Sequence, residues 1–326
     1  MQYYLAPLEG ITGYVYRNAY EKVFHNVDKY FTPFLSPTKN KKLTSREKND
    51  VLPEHNKGMY VVPQILTNCA EHFLDTVIQL KAFGYQEVNL NLGCPSGTVV
   101  TKKKGAGFLS DPAMLDEFLD EIFRGSQIKI SVKTRLGMED IEEFPRLMEI
   151  FNRYPMEELI VHPRVQKDFY KNVPQYECYE WAMKESVNPL CYNGDIFGVD
   201  SFERCLNRFP KQKVWMLGRG IIGNPGLIGE IKDNQPPTIE QLKQFHDEIY
   251  GGYEAIMSGE RNVLFKMKEL WFYMGNLFED SKKELKQIKK ATKAVEYKTA
   301  VNTLFREKNL KEKREWNMAK GGNDGD

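Results

Sequence analysis

The chain has 326 residues, a net charge of +1 and 41% hydrophobic residues, enough for one large domain with a sizeable core and a smaller second one. No stretch approaches the roughly 18 consecutive apolar residues of a membrane span, and the opening MQYYLAPLEG lacks the basic-then-apolar order of a secretory signal, so a soluble, cytoplasmic protein is expected. The cysteines, Cys69, Cys94, Cys178, Cys191 and Cys205, are scattered and form no CxxC pair, which argues against structural zinc and a disulfide framework; no metal is expected.

In chain order, short apolar runs flanked by Gly, Pro or Asn predict strands over Tyr3–Ala6, Lys29–Phe31, Tyr60–Gln64, Glu87–Asn91, Ile128–Lys133, Glu158–His162, Pro189–Tyr192 and Val214–Leu217. Amphipathic helices are expected between most of them. Asn68–Phe83 sets Phe73, Val77 and Leu80 on one face, and Asp111–Phe123 opens with Asp111 and Pro112, a capping residue before a first-turn proline. Asp140–Phe151, Tyr176–Lys184 and Asp200–Phe209 follow suit. The alternation predicts a (β/α)8 TIM barrel over residues 1–235; an open doubly wound sheet is the alternative on pattern alone. After the breaker DNQPP at 233–237, strand signals stop. Thr238–Gly259, Arg261–Phe278 and one or two helices in Ser281–Asn309 predict an all-helical domain over residues 236–313, with Thr238 and Gln241 spaced as a capping box. Residues 314–326 are polar and Gly-rich, and disorder is expected there.

A barrel carries its chemistry at the C-terminal ends of its strands. Those ends read Ala6–Glu9, Thr32–Phe34, Gln64, Asn91–Pro95, Lys133–Arg135, His162–Arg164, Asn193–Asp195 and Gly218–Gly220. Packing alone gives no reason for polar or small residues at every end. Gly194, Gly218 and Gly220 let backbone N–H groups approach an anion closely, and Arg219 adds a charged contact, so the last two ends suggest a phosphate site; taken alone, GRG reads as an ordinary turn. Lys133 is a cation suited to negative charge on a reduced flavin, and Gln64 offers the donor and acceptor that a flavin pyrimidine edge needs; taken alone, each reads as a solvated strand end. Cys94 lies in NLGCPSGTVVTKKKGAGFL, a polar Gly/Lys loop, where a thiol can donate a proton rather than serve as core packing.

Taken together, LAPLEGIT, TPF, VPQIL, NLNLGCPS, KKGAGFL, VKTRLG, VHPR, YNGDI and LGRGIIGNP resemble the tRNA-dihydrouridine synthase family over about 220 residues, and the helical end is similar to the family's second domain. The resemblance implies FMN as cofactor, NADPH as reductant and a uridine of tRNA as substrate, reduced to 5,6-dihydrouridine with Cys94 as proton donor. By motif match it implies flavin contacts at Pro7, Leu8, Glu9, Gln64, Lys133, His162, Asn193, Gly194, Asp195, Gly218 and Arg219, and uracil contacts at Asn91 and Arg135. Two positions depart from the family pattern: Gly13 stands where an acidic residue is frequent, and Pro163 replaces a glycine and so removes an N–H. A monomer is expected.

Basic residues cluster at Lys39, Lys41, Lys42, Arg46 and Lys48, and over 282–314, where twelve Lys and Arg face four Glu for a net +8. So one-sided a charge suggests contact with RNA phosphates, the alternative being a solvated helix face. Two other functional readings remain at this point. One is an FMN barrel acting on a small molecule such as dihydroorotate, and the other is a non-catalytic tRNA-binding or folding factor.

Overall fold

The structure, a computed structural model, describes residues 1–38 and 43–314. Lys39, Lys41, Lys42 and the polar stretch 315–326 lie outside the described residues. The chain divides into two compact units. One comprises Met1–Glu9, Asp28–Gly194 and Phe209–Met216; the other comprises Gly10–Val27, Asp195–Arg208 and the chain from Leu217 onward.

The sheet has nine parallel strands: β1 Gln2–Leu5, β2 Lys29–Phe31, β3 Val61–Val62, β4 Gln64–Ile65, β5 Glu87–Leu92, β6 Lys129–Thr134, β7 Leu159–Val161, β8 Leu190–Tyr192 and β9 Val214–Leu217. Their order is β3-β2-β1-β9-β8-β7-β6-β5-β4. The two ends of that order are one continuous stretch of chain, because only Pro63 separates β3 from β4. Pro63 has no N–H to donate, yet its carbonyl accepts from Asn89 N at 2.9 Å, while Thr32 N donates to Val62 O at 3.1 Å. The expected strand Tyr60–Gln64 therefore pairs β2 through its first half and β5 through its second, and the sheet closes into the expected barrel.

Side-chain parity sets what fills it. Tyr4, Ala6, Phe31, Val62, Ile160, Cys191 and Met216 form one buried cluster, which marks the inward face of each strand. Gln64 lies two residues beyond Val62, and Lys133 is in register with Ile160, so both point inward. Asn89 is in register with Gln64 and with Ser131. β5 and β6 thus turn Glu87, Asn89, Asn91 and Lys129, Ser131, Lys133 to one face. Val88, Leu90, Leu92, Ile130 and Val132, all fully or nearly fully buried, take the other.

At the opposite end from the candidate site, the barrel is plugged by charge. Lys29 Nζ lies 3.1 Å from Glu87 Oε2 and 3.0 Å from Glu158 Oε2. Tyr4 Oη donates to Glu158 Oε1 at 2.5 Å and Tyr60 Oη to Glu87 Oε2 at 2.9 Å. Burial alone would lower the Lys29 pKa, but the two carboxylates outweigh it and hold the value above that of ordinary lysine. For Glu158 burial dominates over Lys29 and raises the carboxyl.

The expected helices form close to their sequence limits. Ala70–Ala82 buries Phe73, Val77 and Leu80, and Asp111 caps Pro112–Gly125 by accepting from Met114 N. In the second unit, Thr238 and Gln241 make the reciprocal capping box of Ile239–Ile256, and the expected stretch Ser281–Asn309 resolves into Lys282–Lys290 and Ala294–Glu307. Helix Leu227–Asp233 runs into the breaker at 233–237 and ends on Asn234 in the left-handed conformation at φ 53°. Helices Tyr14–Val23 and Ser45–Val51 had no strong apolar periodicity to announce them. No helix among the described residues is long and apolar enough to cross a membrane.

The plug yields the first prediction. Lys29→Met leaves Glu87 and Glu158 buried without their cation, and stability should fall by about 3–5 kcal/mol, the scale for breaking a buried pair from one side. Denaturant titration measures this, and a loss below about 1 kcal/mol would show that the network does not hold the barrel closed.

Candidate active site

In the first unit the inward side chains at the C-terminal strand ends are polar. Gln64, Asn91 and Lys133 share that face, and His162 and Asn193 each lie two residues beyond an inward residue, Ile160 and Cys191. Three buried amides are joined head to tail. Asn91 Nδ2 donates to Gln64 Oε1 at 2.7 Å, Gln64 Nε2 to Asn89 Oδ1 at 2.8 Å, and Asn89 Nδ2 to Ser131 Oγ at 3.0 Å. At the upper end Asn91 Oδ1 accepts from both Gly93 N at 3.0 Å and Cys94 N at 2.9 Å.

Cys94 is held from every side through its backbone. Its carbonyl accepts from Ala106 N at 3.1 Å. The preceding carbonyl, Gly93 O, accepts from Arg135 Nε at 2.9 Å, and the following one, Pro95 O, accepts from Gln166 Nε2 at 2.9 Å. The KKGAG segment folds back over this turn and needs its glycines. At Gly105, with φ +56°, a Cβ would lie 2.9 Å from Cys94 O; at Gly107 it would lie 2.6 Å from Val100 O. The thiol is half-buried, and burial raises its pKa above the ordinary value. The Ser96 N–H, Arg135 and Lys133 oppose this without cancelling it. The balance favours the protonated thiol.

Lys133 Nζ makes no hydrogen bond or salt bridge among the described residues. Burial, with Arg135 adding to it, pushes its pKa down to about 8. A cation in this position gains from an anionic neighbour. Arg135, 1% exposed, is committed to Gly93 O, to Val165 O at 3.0 Å and to the face of Tyr170, 5.4 Å from the ring centre. Tyr170 also stacks on His162, with ring centres 6.1 Å apart. Arg164 Nη1 lies 3.0 Å from His162 Nε2; a guanidinium only donates, so this nitrogen accepts and the imidazole carries its proton on Nδ1. The turn at Pro163 is anchored without the missing N–H. Arg164 N donates to His162 O at 2.7 Å and Gln175 N to Pro163 O at 2.7 Å.

Of the remaining expected residues in this unit, Leu8 packs on the barrel core, Pro7 is half-buried, and Glu9 is exposed and salt-bridged to Arg46. Asn193 Nδ2 donates to Met216 O at 2.8 Å. A Cβ on Gly194 would meet Tyr192 Oη at 2.7 Å. Asp195, Gly218 and Arg219 fall in the second unit. There Arg219 Nη2 lies 2.9 Å from Asp195 Oδ1 and the guanidinium rests 5.2 Å from the centre of the Phe197 ring. Gly220 is obligatory, since a Cβ would lie 1.9 Å from Ile196 O.

Sequence reasoning missed Asn89, Ser131, Gln166 and Tyr170. The first two carried a signal: Asn89 and Ser131 precede Asn91 and Lys133 by two residues, so they share the inward face. Gln166 and Tyr170 sit in a loop with no periodicity. No cluster of three or more metal-ligating side chains occurs among the described residues.

Residues 4–314 match the family described as dihydrouridine synthase. The chain belongs to the dihydrouridine synthase family. A probable tRNA-dihydrouridine synthase of Staphylococcus aureus (strain COL) is 26% identical over 265 residues, 77% of each chain. One from Synechocystis sp. is 27% identical over 284 residues, 82% of this chain and 76% of the relative. Among solved structures, morphinone reductase in complex with tetrahydroNAD superposes with a TM-score of 0.50 at 12% identity, over 74% of this chain and 89% of that one. TcOYE with pHBA superposes at 0.51 and 9% identity, over 79% and 96%; likeness at this identity speaks for the barrel fold alone. As a dihydrouridine synthase family member the protein is an FMN-dependent oxidoreductase.

The state of the thiol is open to test. Alkylation of Cys94 by iodoacetamide, followed by peptide mass spectrometry across pH, should show a midpoint above about 8.5, the value of a free cysteine. A midpoint below it would mean that Arg135 and Lys133, not burial, govern the thiol.

Proposed function

We propose that this dihydrouridine synthase reduces a uridine of tRNA, with NADPH as reductant, and that Cys94 donates the proton. The observation that carries this reading is a thiol whose turn is fixed through Asn91, Arg135, Gln166 and Ala106 at the polar end of the barrel, near an unpartnered cation. FMN held at the strand ends, once reduced by NADPH, would supply hydride chemistry toward C6 of the uracil. Cys94 then gives its proton to C5. A group acting as general acid near its normal pKa needs placement more than tuning, and the contacts around residues 93–95 provide placement. Lys133 stabilises negative charge on the cofactor's pyrimidine edge, and its pKa near 8 should rise when that charge is present.

Gln64 and Asn91 each keep one N–H, and Gln64 one acceptor lone pair, beyond the bonds they make to each other, to Asn89 and to the 93–94 backbone. These are the groups assigned to flavin and uracil. Pro7, Leu8, Glu9, His162, Asn193, Gly194 and Asp195 complete the cofactor assignment, with Gly218 and Arg219 holding the phosphate. Arg135, engaged with Gly93 O through Nε and with Val165 O through Nη1, is assigned with Asn91 to the uracil and its nearby backbone. Residues 1–235 are the proposed catalytic part and 236–313 the tRNA-binding part. In the helical part, Lys282, Lys283, Lys286, Lys289 and Lys290 are exposed with no salt bridge among the described residues. Lys283, Lys286 and Lys290 line an open groove of about 740 Å³, a surface suited to a phosphate backbone.

The protein, reduced anaerobically with NADPH, should be reoxidised on adding tRNA that lacks dihydrouridine, with dihydrouridine as product. Reoxidation by orotate but not by tRNA would favour the small-molecule reading, and a colourless protein without FMN would favour a non-catalytic tRNA-binding factor. The phosphate assignment has its own check. Arg219→Glu should lower flavin content by about tenfold or more, since it replaces a charged contact with repulsion; unchanged flavin content would move the phosphate elsewhere.

A further inference from the structure

We propose that Asn89 and Ser131 are positioning residues that set the orientation of Gln64 and Asn91 and, through Asn91, the placement of Cys94; the inference rests on Cys94 being the proton donor. Both residues are fully buried inside the barrel, and neither makes one of the contacts assigned to cofactor or substrate.

The argument is one of direction. A primary amide has a donor end and an acceptor end of nearly equal shape, so a chain of three can run either way. In one sense each nitrogen faces an oxygen, and in the other sense every link is again satisfied. The chain ends decide between them. At the upper end stand two backbone N–H groups, Gly93 and Cys94, both converging on Asn91 Oδ1 at 3.0 and 2.9 Å. If Asn91 turned over, its NH2 would face two donors.

At the lower end stands Ser131. Its hydroxyl donates to Val88 O at 3.4 Å and accepts from Asn89 Nδ2 at 3.0 Å. A hydroxyl whose proton is engaged presents a lone pair to Asn89 and so favours the amide end that donates. Asn89 Oδ1 then faces Gln64 Nε2, and Gln64 Oε1 faces Asn91 Nδ2. Both ends favour the same sense, and hydrogen bonds aligned in this way strengthen one another. The sense also fixes which atoms of Gln64 and Asn91 remain for ligands.

Remove the Ser131 hydroxyl and Asn89 Nδ2 is left buried without an acceptor. Only the upper end then holds the chain in its sense, Asn89 shifts to find an acceptor for Nδ2, and the displacement passes through Gln64 and Asn91 to the N–H groups of Gly93 and Cys94. The consequence appears at the thiol, on the far side of three side chains from the mutation. β6 itself loses no backbone bond, because only the side chain of Ser131 is changed.

The test compares wild type and Ser131→Ala as full-length, flavin-loaded protein. Cys94 is alkylated with iodoacetamide at fixed pH, and Cys69 and Cys178, both half-buried, serve as internal references. The alkylation rate of Cys94 should change by about fivefold or more, the scale of one lost buried hydrogen bond, with the two reference thiols unchanged. Single-turnover reoxidation of the NADPH-reduced protein by unmodified tRNA should slow by a similar factor, and by more than reduction by NADPH does. An unchanged Cys94 rate would overturn the proposal. So would equal acceleration of all three thiols, which is the mark of general loosening. If wild-type protein is not reoxidised by tRNA, the proton-donor reading falls, and the proposal, which rests on it, falls as well.

Discussion

Two backbone N–H groups, those of Gly93 and Cys94, converge on one buried carbonyl oxygen, Asn91 Oδ1. Much of the site follows from that contact. A buried N–H must find an acceptor or cost free energy, so the chain leaving β5 must bend back toward Asn91, and the bend carries the thiol to the barrel mouth. Arg135 and Gln166 take the carbonyls on either side of Cys94, and Gly105 and Gly107 let the next loop close over it. Each of these residues acts through the main chain, so the thiol is placed by its backbone, with the Ser96 N–H at the sulfur. Burial then raises its pKa, which suits the proton-donor role proposed for it.

The same geometry explains an unusual allocation of polarity. EVNLNL and KISVKT alternate as half-exposed strands do, and alternation ordinarily sends the polar face to water. Here the polar face turns into the barrel. The interior is charged at one end with Lys29, Glu87 and Glu158, and amide-rich at the other with Gln64, Asn89 and Asn91. Between these ends lies the apolar cluster of Tyr4, Phe31, Ile160, Cys191 and Met216.

This is why the sequence was legible in some places and silent in others. The strands were readable because each is a short run bounded by breakers, and β3 and β4 read as one strand since Pro63 leaves no break in the apolar pattern. Cys94, Lys133 and Gln64 were readable because strand ends are where barrels place chemistry. The connection from Asn91 down to Ser131 was not, because sequence gives parity but not which amide atom faces which. The loop bearing Gln166 and Tyr170 has neither period nor motif spacing, and its contacts at Pro95 and Arg135 join residues far apart in the chain. Arg135 was read as a substrate contact from its motif; the structure shows its guanidinium engaged with Gly93 O and Val165 O, a commitment that only three-dimensional packing reveals.

The account stands or falls on whether the Cys94 thiol delivers a proton to substrate. The most direct measurement is single-turnover oxidation of the NADPH-reduced protein by unmodified tRNA, wild type against Cys94→Ala. The variant should bind FMN and accept reduction by NADPH as wild type does, because the cofactor assignment lies on other strand ends. Its reoxidation by tRNA should slow by about 100- to 10,000-fold, the usual scale for losing a positioned acid. Equal rates of reoxidation, with dihydrouridine formed by both proteins, would contradict the account and reduce Cys94 to a structural thiol.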